Sequence, residues 1–83
     1  MSKKEKLIAK ILSGEHDGNV TFDELMNCLS RLGFGIRNTG GSHFVASRPN
    51  ESPLTLQPRK DGKAKPYQLE QVRIHLNKYG LEK

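Results

Sequence analysis

The apolar residues of this chain change their spacing twice, and that change restricts the available folds more than any single motif does. Leu25, Cys28, Leu29 and Leu32 recur at helical spacing, but from Gly33 onward apolar and polar residues alternate in FGIRN (34 to 38), SHFVAS (42 to 47) and LTLQ (54 to 57). A period near 3.6 describes a helix with one apolar stripe; a period of 2 describes a strand with one apolar face. The helical period returns with Leu69, Val72, Leu76 and Tyr79, behind Pro66, which suits a first helical position, and ahead of Gly80, which suits a helix end. The gaps TGG and RPNESP read as hairpin connections, so the three strands pair antiparallel, and Pro49 and Pro53 stay in the second connection where no ladder donor is required. An earlier stripe at Leu7, Ile8, Ile11 and Leu12 ends near Gly14. The order is therefore α-α-β-β-β-α, an α+β domain with a three-stranded antiparallel sheet and its helices on one face.

The sharpest start signal is at Thr21. Glu24 follows three residues later, forming a capping box in which each side chain takes the other's backbone N–H, and Val20 and Leu25 occupy the flanking staple positions. Gly33 fits the left-handed residue that ends many helices. Cys28 lies on the buried stripe with no His or Asp as its helical neighbour, so it reads as an inert core thiol. As the sole cysteine it can form no intrachain disulfide, which suits a reducing cytoplasm. The segment KKEKLIAKIL (3 to 12) carries Glu5 and Lys10 within its apolar run and reads as structure, not as a targeting signal. At 83 residues the chain makes one domain, spanning 1 to 83. A transmembrane helix would need about 20 apolar residues in succession, and no such run exists; no membrane partner is expected.

The net charge is +5, and its distribution says more than its size. Residues 31 to 66 hold Arg31, Arg37, Arg48, Arg59, Lys60, Lys63 and Lys65 against only Glu51 and Asp61. With a sequence pI near 9.6, a positive field concentrated in the middle of a small domain favours a polyanion, first of all a nucleic acid.

Alternation sorts the strand residues into two faces. Phe34, Ile36, Phe44, Ala46, Leu54 and Leu56 are expected to face the helices; Arg37, His43, Val45, Ser47, Thr55 and Gln57 are left on the open face. Arg37 and His43 flank the TGG turn on adjacent strands, Gly40 and Gly41 allow close approach of backbone to a ligand, and the loop PRKDGKAK (58 to 65) adds Lys60, Lys63 and Lys65. RNA carries its own nucleophile, the 2′-hydroxyl beside each phosphate. A protein that cleaves it needs to align that group, move a proton near neutral pH and stabilise charge on phosphorus. Histidine titrates in that range, and arginine and lysine supply the positive charge. Arg37, His43 and a nearby lysine would suffice for metal-independent cleavage, although a lone strand histidine is ordinarily a plain surface residue. His16 sits in a polar turn and receives no role; His75 falls at the edge of the last stripe and reads as a boundary residue. No histidine pair has metal-ligand spacing, no carboxylate pair is arranged for glycoside chemistry and no phosphate-binding P-loop occurs.

At GGSHF (40 to 44) these residues resemble a family. A helix ending in LxxxGF (Leu29 to Phe34), a strand with the basic Arg37, the step Gly41, Ser42, His43, a third strand, a basic loop and a C-terminal helix together resemble the HicA toxins, ribonuclease partners of HicB antitoxins in bacteria. The likeness covers residues 21 to 80 and leaves 1 to 19 as an N-terminal helical extension on a core of 20 to 83, free to cover a sheet edge or to bind a partner. It implies a double-stranded-RNA-binding-domain-like fold and cleavage of mRNA without metal or other cofactor. It further implies His43 as the catalytic residue, and inhibition by a HicB-like antitoxin that covers the site. Arg37, Gly41, Ser42, Lys60, Lys63 and Lys65 are the expected RNA contacts. The loop after the third strand lacks the histidine many members carry there, so Lys60, Lys63 or water would supply any second acid. A non-catalytic RNA-binding module of the same fold is the alternative.

Overall fold

The computed structural model describes residues 3 to 81. Helix α1 (Lys3–Ser13) is followed by a single 3₁₀ turn (Asp17–Asn19), helix α2 (Phe22–Arg31), strands β1 (Gly35–Gly40), β2 (His43–Ser47) and β3 (Leu54–Leu56), and helix α3 (Pro66–Tyr79). The strands form one antiparallel sheet in the order β1-β2-β3. The chain is thus an α+β fold with three α-helices, in the element order the periodicity indicates.

Local chemistry fixes both ends of α2. Glu24 N–H donates to Thr21 Oγ1 at 3.0 Å, and Thr21 N–H donates to Glu24 Oε1 at 2.9 Å. At the other end Gly33, at φ 96°, turns the chain so that Gly33 N–H reaches Ser30 O and Phe34 N–H reaches Leu29 O. Those two bonds are the Schellman pattern, with Phe34 packing back toward Leu29. The Gly-Phe step at 33 and 34 is therefore a helix stop that also delivers the first core residue of the sheet layer.

The core lies between the helices and one face of the sheet. Ile11, Val20, Leu25, Leu29, Ala46, Leu56, Leu69 and Val72 are fully buried, and Ile36, Ala46 and Leu54 share one row across the register while Phe44 and Leu56 share the next. Ile36 departs from expectation: it lies on an edge strand, its cross-strand partner is the small Ala46, and it remains 36% exposed. Tyr79 is half-buried, so the α3 stripe is completed instead by Gln68 and His75. Helix α1 makes its main contacts with α2 and α3, not with a sheet edge. Ile11 anchors it, Lys10 reaches Glu24 at 3.1 Å, and Arg73 of α3 holds Asp17 through two bonds of 2.9 and 2.7 Å while also donating to Ile11 O.

The largest departure is a buried polar cluster. Arg48, one of the seven basic residues of the central stretch, is only 3% exposed. Its guanidinium lies 4.3 Å from the Phe34 ring centroid and donates to Leu32 O, Leu81 O, Gly80 O and Glu51. The Pro49-Asn50 turn, with Asn50 at φ 66°, returns Glu51 to Arg48. His75 Nε2 meets Glu51 Oε1 at 2.8 Å, and the ring lies tilted between those of Phe34 and Tyr79, 5.5 and 4.7 Å away between centroids. Burial pushes the Glu51 carboxyl up, but hydrogen bonds from Arg48 and His75 and the nearby positive charge outweigh it, so the group lies below the ordinary glutamate value. His75 is therefore a core residue with a partner, not a boundary residue.

Candidate nucleic-acid interface

The β1-β2 connection is tighter than TGG. β1 runs on to Gly40, and only Gly41 and Ser42 form the turn, so Ser42 belongs to the turn and not to a strand. The register shifts between Asn38 and Gly40, leaving Thr39 as an inserted residue. Asn38 holds the turn from within: Oδ1 accepts from Gly40 N–H at 3.1 Å and Nδ2 donates to Gly41 O at 3.0 Å. Gly40 at φ 136° and Gly41 at φ 55° use conformations that a β-carbon would strain. A bulge of this kind re-aims the side chains that follow it.

His43 is the first residue of β2, paired with Gly40 and exposed. Phe44 behind it turns inward and meets the Phe22 ring at 5.3 Å between centroids, which commits His43 to the opposite face. Arg37 is not directly across from His43. It pairs with Val45, which in turn pairs with Thr55, so Arg37 and His43 are diagonal neighbours on the open face. Diagonal positions have Cβ atoms about 7–8 Å apart, within the joint reach of an arginine and an imidazole on one phosphate.

The three loop lysines are divided by the fold. The loop is stitched to the start of α2: Phe22 N–H donates to Gly62 O, Ala64 N–H donates to Val20 O, and Lys63 bridges Thr21. Lys63 accordingly sits beside the α2 cap, and Lys60 is exposed in the loop turn. Lys65 alone is tied to the hairpin, through Gln57. The Gln57 amide donates to Ser42 Oγ at 3.3 Å and accepts from Lys65 Nζ at 3.5 Å, while its backbone N–H donates to Gln68 Oε1 at 3.2 Å. Lys65 Nζ also stands 6.0 Å from the Tyr67 ring. Arg37, His43, Ser42 and Lys65 are therefore linked through the hairpin and Gln57, whereas Lys60 and Lys63 lie on the loop beside the start of α2.

Sequence alternation places Gln57 on the open face without assigning it a contact, and it gives Gln68 no role. Gln68 carries a signal that could have found it: it lies four residues before Val72 and eight before Leu76, on the apolar stripe, where a buried amide must find a partner. Gln57 lies just beyond the three-residue β3, where alternation alone does not say what an amide will bridge.

The charge pattern sharpens in three dimensions. Within residues 31 to 66, Glu51 is taken up by Arg48, and Asp61 pairs with Arg59 at 3.1 Å. Arg31, Arg37, Lys60, Lys63 and Lys65 are left as the outward cations of that stretch. Cys28 is buried, and burial pushes its thiol up to about 11, so it offers no nucleophile near neutral pH. Among the described residues no group of three or more His, Cys, Asp or Glu side chains is placed to hold a metal ion, and no helix is long and apolar enough to cross a membrane. No family model, no curated protein and no solved structure matches the chain.

Proposed function

We propose that the chain is a metal-independent endoribonuclease of the HicA toxin type, with a double-stranded-RNA-binding-domain-like fold, acting on mRNA in the cytoplasm and restrained by a HicB-like antitoxin. The observation that carries this reading is the exposed His43 imidazole at the mouth of the Gly41-Ser42 turn, with Arg37 diagonal to it and the Ser42, Gln57, Lys65 chain alongside. His43 takes the proton of a 2′-hydroxyl as its oxygen bonds to the adjacent phosphorus. Arg37 and Lys65 balance the charge that gathers on the phosphoryl oxygens. The bond from phosphorus to the 5′-oxygen then breaks, and that oxygen takes a proton from water or a lysine. The products are a 2′,3′-cyclic phosphate and a 5′-hydroxyl end.

A second reading, RNA binding without catalysis, draws on the positions of the other two imidazoles. His75 is buried against Glu51 and His16 lies in the turn before α2, so His43 has no second histidine beside it. One experiment separates the two: purified protein is incubated with mRNA in EDTA, alongside His43→Ala. Cleavage to 5′-hydroxyl ends by the wild type alone, with both proteins binding RNA and melting alike, supports the nuclease. Equal binding with no cleavage by either leaves the binding module, and cleavage by both removes His43 from the mechanism.

A further inference from the structure

Helix α3 is apolar on two sides. Leu69, Val72 and Leu76 fill the core, yet Tyr67 and Ile74, two turns apart on the outward side, are 55% and 60% exposed, and Leu81, 44% exposed, follows just past the Gly80 cap. Around Ile74 the outward residues are arranged symmetrically in type. Four residues before it is Glu70 and four after it Lys78; three before is Gln71 and three after Asn77, all exposed. Beside this ridge runs a groove between α3 and β3, lined by Pro53, Thr55, Gln71, Ile74 and Lys78.

We propose that this face is a self-association surface, on which a second copy of the chain docks with its α3 antiparallel to the first and the two-fold axis at Ile74. Antiparallel pairing about that residue brings each Glu70 level with the partner's Lys78 and each Gln71 level with the partner's Asn77. It also sets Tyr67 toward the end of the partner helix that carries Leu81. Parallel pairing would set Glu70 beside Glu70 and Lys78 beside Lys78, so charge selects the antiparallel form. The ridge of one copy enters the groove of the other, as helix surfaces pack. One face of a 14-residue helix, about 21 Å long, falls at the low end of specific interface sizes, so the dimer is reversible. The inference does not depend on the proposed nuclease, because the pairing uses none of the residues assigned to cleavage.

Sedimentation velocity over a concentration series up to about 1 mM, where association is worth only ~4 kcal/mol, tests it. The wild type shifts from monomer to dimer, and Ile74→Glu stays monomeric with an unchanged melting temperature; Ile74→Ser replaces it if the glutamate lowers that temperature. Glu70→Lys and Lys78→Glu each weaken the dimer by about tenfold, because each sets two like-charged pairs across the seam. Mixing the two single variants one to one restores the wild-type dimer, since both pairs are then opposite in sign. A wild type that remains monomeric throughout, a dimer indifferent to Ile74→Glu, or a mixture no tighter than its components overturns the proposal. The first of these results leaves the face for a different chain, such as an antitoxin.

Discussion

Two places in the molecule hold an arginine and a histidine, and they differ in solvent. Arg37 and His43 lie in the open on adjacent strands, diagonal to one another. Arg48 and His75 lie inside, 3% and 7% exposed, and Glu51 joins them. A guanidinium taken out of water costs several kcal/mol unless its protons find acceptors. The inner arginine meets that demand with three backbone carbonyls and a carboxylate, tying the end of α2 to the chain after α3. The outer pair stays hydrated, which leaves it ready to exchange water for phosphate. The same residue types are thus a structural tie in one setting and candidate chemistry in the other, and burial decides which.

Substitutions can break this contrast. The largest expected effect is that of His43→Ala, which should lower the cleavage rate by about 10²- to 10⁴-fold while leaving the melting temperature unchanged. A large loss of stability would move His43 to the structural side. Arg48→Met should do the reverse, removing about 3 kcal/mol of stability by stranding Glu51, or roughly 12–24 °C in melting temperature for a domain of this size, with cleavage per folded molecule intact. If cleavage falls further than the folded fraction does, the inner cluster is not purely structural.

Acid should distinguish the two regions next. Glu51 lies below its ordinary value of 4.5 in the folded chain, so its contribution is present above that value and is lost as pH falls through the folded one. Glu24 behaves in the same direction, held down first by the Thr21 N–H, opposed by burial and assisted by Lys10. The wild-type melting temperature should therefore decline below about pH 4.5, and Glu51→Gln should flatten part of that decline. A wild-type profile that stays level down to about pH 3 would contradict the lowered values. The smallest effect is that of Arg37→Ala, which should reduce the salt slope of RNA binding by about 0.7, the share of one phosphate contact on a single strand. An unchanged slope means that Arg37 touches no phosphate.

What could be read from the sequence was whatever is decided locally. The Thr21 and Glu24 box, the stop at Gly33 and Phe34, and the alternation that assigns Phe44 inward and His43 outward each depend on residues a few positions apart. The burial of Arg48 depends on carbonyls of Gly80 and Leu81, more than thirty residues away, and no periodicity reports on them. His75 looked marginal for the same reason, since Glu51 and Phe34 arrive from other elements. The site divided in the same way. His43 and its glycines lie in one short string, whereas the grouping of Ser42 with Lys65 required Gln57 to bridge a hairpin turn and a distant loop.

The basic loop is attached to the fold through its backbone. Its position is held by main-chain bonds from Phe22 to Gly62 and from Ala64 to Val20, with the buried Ala64 methyl as its only anchor in the core. The side chains at 60 and 63 take no part in that attachment, and Lys65 contributes one long contact. Variation at these three positions can therefore alter the charge this surface presents while the scaffold keeps its shape. In descendants of this chain, the charge of this loop and foldability are free to change independently of each other.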